Sequence, residues 1–381
     1  MSDWVGRARA LAPTVEQFRD EGEQRRRLPR PVFDALREAG FFRLWVPHAL
    51  GGAEVDVETM LCVVEELSRQ DGSAGWSVMI AGNHALLWGY LDPPVAERLM
   101  AGNPNAVIAG TIFAGTGTAR PQPGGYRVSG RWAFASDCHH ADCMVASSVV
   151  VDDGEARHGP DGSPQLHAFL LPVVACEIVE TWETTGLRGT GSHDFQAQDV
   201  FVPEGHYWRP SDVARQPGPL YSALVYNFWA PNIAAVALGI ARAALDSFAG
   251  LASEKRTNRN PTVLAQRETI QERVGEAEAL VRAGRAFVFE AVRDSWATLT
   301  SGGALSERQS ALNRLAAATA VKNAVEAVDV VYAAAGGTSI YARSPLERCF
   351  RDVHVVPHHA VVGAGMFALA GRSFLGLGLG R

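Results

Sequence analysis

Three residues whose side chains can move protons or hydrogen-bond a reactive group stand out in the sequence: His84, Ser136 and His359. Histidine titrates near physiological pH, so either imidazole is a candidate acid or base. A serine hydroxyl both donates and accepts a hydrogen bond. His84 lies in the otherwise apolar segment 73–91, where a polar side chain needs a partner. These residues are therefore candidates for acid–base chemistry and for holding a reactive ligand.

Each of the three also has a purely structural interpretation. A lone histidine in an apolar helix is most often a satisfied core residue, and a serine that ends a strand often caps a turn. His359 stands beside His354 and His358, and three histidines within six residues suggest a metal. Spacings of four and one do not put all three on one helical face, however, so we expect no metal site.

The elements that must position these residues follow from the apolar periodicity. Helices are predicted from residue 4 to about 105, short strands between Gly, Pro and Asp turns from 103 to 203, and long helices over 221–253, 261–299, 305–334 and 345–378. Regular short strands favour a small antiparallel barrel, and long helices joined by short loops favour a four-helix bundle. We predict a mainly α protein with a central β-barrel, divided into an N-terminal helical domain (1–105), a middle barrel domain (106–207) and a C-terminal bundle (208–381).

The composition excludes several classes of partner. The formal net charge is -6, and the sequence lacks the basic clusters that bind nucleic acid or anionic membranes. The five cysteines form no CxxC pair, which predicts reduced thiols and a cytoplasmic location. The most apolar stretch, 223–251, contains Asn, Pro, Arg and Asp, so it predicts a buried helix rather than a membrane span.

Four local phrases indicate a relationship to a known superfamily: REAGFFRLWVPHALGG (37–52), GGYRVSGRWAFAS (124–136), TTGLRGTGSHDFQAQDVFVPE (184–204) and PLERCFRDVHVVPHH (345–359). In their order and spacing they resemble the acyl-CoA dehydrogenase superfamily over nearly the whole chain. The resemblance implies an N-terminal helical domain, a middle antiparallel β-barrel and a C-terminal four-helix bundle, in agreement with the periodicity.

The base of the dehydrogenases is missing from this sequence. In those enzymes a Glu lies eight residues after the Asp that corresponds to Asp352, and here Ala360 occupies that position. A methyl group cannot accept a proton. Some relatives carry the Glu on an earlier bundle helix, but residues 226–241 contain no acid. An acyl-CoA dehydrogenase or oxidase with a displaced base is kept as the alternative hypothesis.

The departures resemble the flavin monooxygenase branch of the superfamily, in which His84, Ser136 and His359 match active-site positions. Asp137 departs from that branch, where a Gly usually follows the serine. The resemblance implies the oxygenase component of a two-component monooxygenase. Reduced flavin and O₂ would form a C4a-hydroperoxide that hydroxylates a small aromatic or heteroatom-bearing substrate. Ser136 would contact flavin N5 and C4a, and His359 would serve as the acid or base.

The resemblance also implies a set of cofactor contacts. Matching positions near the flavin ring are Thr111, Ile112, Phe113 and Thr118, with Trp132 and Phe134 as an apolar wall around Ser136. For the phosphate, we expect Arg256, Gly336, Gly337 and Thr338, although the same glycines are typical of a helix C-cap. In relatives this segment reaches the cofactor of a neighbouring subunit, which implies a homotetramer.

No GxGxxG or P-loop motif indicates a nicotinamide site in the sequence. The expected cofactor is therefore reduced FMN, with FAD possible, supplied by a separate NAD(P)H:flavin reductase.

The candidate substrate pocket draws on residues that equally suit the bundle core: His84, Tyr226, Phe228, Trp229, Asn232 and Met366. An aromatic pocket favours a ring-bearing substrate. The absence of a basic cluster for a pyrophosphate favours a free substrate over one linked to coenzyme A.

Overall fold

The computed structural model describes residues 1–112, 116–209, 212–222, 226–256 and 262–379, and for Ser2 and Tyr226 it describes the backbone alone. Helices occupy both ends of the chain and a single sheet lies between them. The predicted fold class, helices followed by a β-structure and a helical bundle, is confirmed.

The N-terminal helices are α1 (Ser2–Ala10), α2 (Ala12–Arg25), α3 (Arg30–Glu38), α4 (Val57–Gln70), α5 (Gly72–Ala85) and α6 (Pro93–Gly102). The first helical segment is divided between α1 and α2, because Pro13 lies in the first turn of α2 and begins a new helix. Asp71 caps α5 by accepting a hydrogen bond from the Ala74 amide at 3.0 Å. Every residue of α5 is buried, as its uniformly apolar sequence predicts.

Within the part of the chain that the structure describes, the sheet has nine strands: β1 (Ile108–Thr111), β2 (Gly117–Gln122), β3 (Gly125–Ala135), β4 (Cys143–Asp152), β5 (Glu155–Ala156), β6 (Leu166–Pro172), β7 (Glu177–Val179), β8 (His193–Pro203) and β9 (Tyr207–Trp208). They pair in the order β7-β8-β3-β2-β4-β6-β9, with β1 and β5 also on β4. The sheet is mixed rather than purely antiparallel, because β4 pairs in parallel with both β1 and β2. Side chains of β3, β6 and β8 share one core, so the sheet curls around its own interior.

The C-terminal helices are α7 (Pro219–Ser222), α8 (Tyr226–Glu254), α9 (Glu268–Thr300), α10 (Glu307–Ala335), α11 (Pro345–Val355) and α12 (Gly365–Phe374). The continuous helix expected over 345–378 is wrong. After α11 the chain makes a short 3-10 turn over Val356–His358 and reaches His359 in an extended conformation. Pro357 cannot continue the α-helical hydrogen-bond ladder, which explains the break.

Among the described residues, one helix, Asn227–Glu254, is long and apolar enough to cross a membrane by composition. However, 67% of its most apolar window is buried inside the protein. Its core contacts with α4, α5, α9 and α10 make it the central helix of the bundle. The five cysteines, all of them within the described residues, are free thiols.

Candidate active site

Ser136 lies immediately after β3, buried against helix α5. Its hydroxyl accepts a hydrogen bond from the indole N–H of Trp76 at 3.1 Å. The hydroxyl also lies 2.7 Å from the hydroxyl of Ser192. Ser136 is 4% exposed, so both partners operate away from bulk water. The end of β3 therefore presents a buried hydroxyl held between a helix and the turn that precedes β8.

The Ser192 hydroxyl continues this network into the turn. It lies 2.7 Å from Thr190 Oγ1, which in turn donates to the carbonyl of Leu187 at 2.9 Å. We call the series Ser136, Ser192, Thr190 and the Leu187 carbonyl the hydroxyl relay. All four residues are buried. The turn that carries them is held in place because the Asp352 carboxylate accepts a hydrogen bond from the Leu187 amide at 2.6 Å.

Asp137 adds a second link between the end of β3 and α5. Its carboxylate accepts a hydrogen bond from the Ser77 hydroxyl at 2.9 Å, and its amide donates to the Thr190 carbonyl at 2.9 Å. Adjacent residues of α5 thus bond to adjacent residues of the strand end, Trp76 to Ser136 and Ser77 to Asp137. Burial raises the pKa of Asp137 to about 7, and the Ser77 hydrogen bond opposes this rise.

His359 reaches the same place from the C-terminal bundle. Its imidazole lies 5.9 Å, centroid to centroid, from the ring of Trp76. The Val361 amide donates to His359 Nδ1 at 3.4 Å, which places the proton of the neutral ring on Nε2. Burial lowers the pKa of His359 to about 4, so the ring is neutral at physiological pH. Trp76 is the shared contact that brings Ser136 and His359 into one site.

His84 lies two turns further along α5. Its Nδ1 lies 2.9 Å from the carbonyl of Ile108, so Nδ1 carries the proton and Nε2 is an acceptor. Burial lowers the pKa of His84 to about 4, which keeps the ring neutral. The indole of Trp229 meets the imidazole edge-on at 5.8 Å between centroids.

Asn232, one turn after Trp229 on α8, is fully buried and donates to Asn83 Oδ1 at 2.9 Å. Its own Oδ1 is buried without a hydrogen-bond partner in the described structure. A buried acceptor of this kind costs free energy unless a ligand or a water satisfies it.

The remaining candidate substrate residues separate. Phe228 points away from α5 and contacts Trp296 of α9 at 6.2 Å between centroids, so it belongs to the bundle core. A change of one residue on a helix turns the side chain by about 100°, which explains why Phe228 and its neighbour Trp229 face different elements. Met366 is half-buried at the start of α12 and follows the turn that begins at His359. The side chain of Tyr226 lies outside the described residues.

The apolar wall expected around Ser136 is wrong for Trp132. Its ring stacks on Phe195 inside the sheet at 4.9 Å, and its indole donates to the Ser147 carbonyl at 2.7 Å. Phe134 instead is 71% exposed, with a positive φ of 64°. Strict alternation would put both rings on one face, but the β3–β8 register shifts between Trp132 and Ala135. The irregularity turns Phe134 outward beside Trp182, at 6.4 Å.

The other ring-contact candidates do not gather at Ser136. Thr111 ends β1 and Ile112 follows it, and the first carbonyl of this strand, that of Ile108, meets His84. Thr118 pairs with Ser129 on β3, seven residues and roughly 20 Å of strand before Ser136. Phe113 lies outside the described residues.

The candidate phosphate residues do come together. Lys255 directly follows α8. Its ammonium donates to the Ala335 carbonyl and to Thr338 Oγ1, both at 2.6 Å. Lys255, the sequence neighbour of Arg256, thus links the end of α8 to the turn of Gly336, Gly337 and Thr338. Gly336 has a φ of 60°, and a side chain at either glycine would meet nothing of this chain within 4 Å. The turn is an open backbone surface beside a lysine and an arginine, which suits a phosphate.

These features fit a flavin. Phe134 offers an exposed aromatic face beside a buried hydroxyl, and the turn beside Lys255 offers backbone and cationic donors. Trp76, Thr190, Ser192 and Lys255 were missed as site residues. Thr190 and Ser192 stand in the phrase at 184–204, and Trp76 lies seven residues before Asn83, on one helical face. The lysine next to Arg256 was also visible, but only contacts show which residues bond.

Comparison with known proteins places this arrangement in a family. Residues 7–91 match the model of the acyl-CoA dehydrogenase N-terminal domain, and residues 232–363 match that of the C-terminal domain. The chain is 33% identical to the indole-3-acetate monooxygenase of Pseudomonas putida, over 93% of this chain and 89% of that protein. It is 28% identical to the oxygenase component of the FADH(2)-dependent resorcinol hydroxylase of Rhizobium sp. strain MTP-10005, over 98% and 94%.

Among solved structures, XiaF from Streptomyces sp., in complex with FADH2 and glycerol, superposes with a TM-score of 0.91 at 27% identity, over 99% of this chain and 96% of that one. The sequence relatives, the fold and the site formed by Ser136 and His359 all indicate the same family. The chain belongs to the acyl-CoA dehydrogenase superfamily and, within it, to the oxygenase components of flavin-dependent monooxygenases.

Proposed function

We propose that this protein hydroxylates a small, ring-bearing substrate that carries an O–H or N–H group, using O₂ and reduced flavin delivered by a separate flavin reductase. The observation that supports the proposal most strongly is the meeting of Ser136 and His359 at Trp76. Ala360 stands where the dehydrogenases of the superfamily have their catalytic base. The site thus keeps hydrogen-bonding groups for a flavin and lacks the base for removing a substrate α-proton.

When bound, reduced flavin provides the chemistry that activates O₂. The protein holds the flavin and the substrate in place and exchanges protons with them. The Ser136 hydroxyl holds the reactive edge of the flavin ring. Trp76, which bonds to Ser136 and contacts His359, would exclude water from a flavin ring bound there, and this favours hydroxylation of the substrate over loss of peroxide. His359 is neutral at physiological pH, and its imidazole can exchange a proton with the ligand.

The substrate lies between α5 and α8 in this proposal. His84 Nε2 is an acceptor, because Nδ1 donates to the Ile108 carbonyl, and it suits an O–H or N–H on the substrate ring. Trp229 provides an aromatic surface, and the unpartnered Oδ1 of Asn232 provides a second acceptor. The relatives named for indole-3-acetate and resorcinol act on rings that carry such donors.

The flavin phosphate binds, in our proposal, at the turn of Gly336, Gly337 and Thr338 beside Lys255 and Arg256. This turn borders the end of α8, whereas Ser136 bonds to α5 and to the turn before β8. A turn that serves a neighbouring subunit's flavin explains this separation. We therefore propose a homotetramer. We also propose a cytoplasmic location, a preference for FMN over FAD, and the division into the domains 1–105, 106–207 and 208–381.

The experiment supplies reduced FMN through a separate NADH-dependent flavin reductase under ¹⁸O₂, with a panel of phenols and indoles that includes resorcinol and indole-3-acetate. We expect one labelled oxygen in a product. We expect Ser136→Ala and His359→Ala to lower the product formed per flavin oxidised by roughly tenfold or more, with peroxide rising in proportion. Ser129→Ala, on the same strand, and His358→Ala, at an exposed position, are the matched controls. Peroxide as the sole product with every substrate contradicts the proposal.

A further inference from the structure

The hydroxyl relay has a fixed direction. Each hydroxyl carries one proton to donate. Thr190 Oγ1 lies 2.9 Å from the Leu187 carbonyl, which can only accept, so Thr190 donates there. Thr190 then has no proton for Ser192, and the 2.7 Å contact between them requires Ser192 to donate. By the same reasoning Ser136 donates to Ser192 across 2.7 Å.

This direction determines what Ser136 can offer to a ligand. Its only proton points to Ser192. Trp76 Nε1 is a donor without acceptor capacity, and it occupies one lone pair of the Ser136 oxygen at 3.1 Å. The second lone pair remains. Ser136 is therefore poised to accept a hydrogen bond from a ligand and not to donate one.

We infer that Ser192 and Thr190 are positioning residues that make the site select reduced over oxidised flavin, by holding Ser136 as a hydrogen-bond acceptor. The N5 atom of reduced flavin carries a proton and donates to an acceptor, whereas N5 of oxidised flavin is itself an acceptor. The inference rests on the proposed function, because it requires that N5 lie at Ser136.

Ser136 can donate a hydrogen bond to N5 of oxidised flavin only if the direction of the hydroxyl relay reverses. Reversal turns the Thr190 hydroxyl toward Ser192 and breaks its bond to the Leu187 carbonyl, which keeps the indole N–H of Trp182 at 3.0 Å. The free-energy difference between the two directions of the hydroxyl relay is about that of one neutral hydrogen bond. It corresponds to about threefold to tenfold in the ratio of the two affinities.

Two variants break the fixed direction of the hydroxyl relay without changing a residue that would contact the ligand. Ser192→Ala removes the acceptor for the Ser136 proton, and Thr190→Val removes the acceptor for Ser192. The dissociation constants of oxidised FMN and of anaerobically reduced FMN are measured by titration for each protein. We expect the wild-type protein to bind reduced FMN more tightly. Both variants should bind oxidised FMN more tightly, so the ratio of the dissociation constant of oxidised FMN to that of reduced FMN should fall about threefold to tenfold. A tenfold change in this ratio equals about 30 mV in the two-electron potential.

Thr190→Ser, which restores the hydroxyl, should retain the wild-type ratio, and so should the control Ser129→Ala. The inference is overturned if both variants keep the wild-type ratio, or if they weaken both redox forms equally. Failure of the proposed function has a different signature, because the wild-type protein would then form peroxide alone with every substrate, whatever the ratio of the two dissociation constants. Thermal melting of each variant separates loss of folding from loss of selectivity.

Discussion

Asp137 is a costly residue in a protein interior. It is buried, has a positive φ of 59°, and burial raises its pKa to about 7. In the unfolded chain the same carboxyl ionises near its ordinary value of 3.8. As pH rises from about 4 to 7 the unfolded state loses this proton while the folded state keeps it, so stability falls with pH. Above pH 7 the folded protein must bury a charge that, among the described residues, only Ser77 stabilises by a side-chain hydrogen bond.

The pH dependence gives a test at this residue. We expect Asp137→Asn to melt a few degrees higher than the wild-type protein at pH 8, because Asn keeps the acceptor for Ser77 without the ionisation. The gain should shrink toward zero near pH 4. The measurement is thermal unfolding of both proteins across this range. Asp153→Asn is the matched control, since Asp153 also has a positive φ, of 50°, but is exposed. A pH-independent difference would contradict the argument.

At the scale of single residues, the sequence predicted the reactive groups better than their partners. Ser136, His84 and His359 were identified because they match active-site positions of the flavin monooxygenase branch. Trp76 and Ser192, which hold Ser136, have no unusual local pattern. Their roles come from contacts between residues 60 and 56 positions apart in the sequence, and a single sequence does not specify such contacts.

At the scale of elements, interruptions decide where the site residues point. The irregularity in β3 after Trp132 separates that ring from Phe134, so one enters the core and the other faces outward. The 3-10 turn at Pro357 releases His359 from helical geometry and lets it reach Trp76. The C-terminal ends of α8, α9 and α10 were predicted to within one residue, because amphipathic periodicity is local. The parallel pairing of β4 with β1 and β2 was not, because strand pairing is non-local.

The link between the end of α8 and the turn after α10 gives a test at this scale. Lys255→Met removes the ammonium that bonds Ala335 and Thr338, together with its charge. We expect the affinity for reduced FMN to fall about tenfold, in the range of one charge-assisted hydrogen bond. The affinity for reduced riboflavin, which lacks the phosphate, should stay within about twofold on the same grounds.

Lys322→Met is the matched control for this test, since Lys322 is an exposed lysine on α10. Equal losses for FMN and riboflavin would show that Lys255 supports the fold of the turn rather than a phosphate site.

At the scale of the whole molecule, the C-terminal surface is unusually apolar. Side chains that are large, apolar and exposed lie there in two groups: Ile340 and Tyr341 after α10, and Phe367, Phe374, Leu375 and Leu377 on and after α12. Exposed apolar surface of this kind is typical of subunit interfaces. The first group directly follows the turn of Gly336, Gly337 and Thr338, which is the turn that we propose reaches a neighbouring flavin. Phe374 of the second group packs against Arg308 at the other end of α10.

This surface predicts the oligomeric state. The wild-type protein should have about four times the chain mass of 40.8 kDa in solution. Ile340→Glu and Leu375→Glu should shift it toward smaller species, because a buried charge at an interface is strongly unfavourable. Light scattering after size exclusion gives the mass. Val174→Glu, at a position 92% exposed on the sheet domain, should leave the mass unchanged. A monomer in the wild-type protein would contradict the tetramer.

The central claim is that this site controls the reaction of reduced flavin with O₂. The most direct measurement mixes the anaerobic complex of the protein and reduced FMN with oxygenated buffer and follows the flavin absorbance in time. We predict that O₂ is consumed well before oxidised flavin appears, and that Ser136→Ala shortens this delay. Reoxidation with the time course of free reduced FMN, alone and with every ring-bearing substrate, would contradict the account.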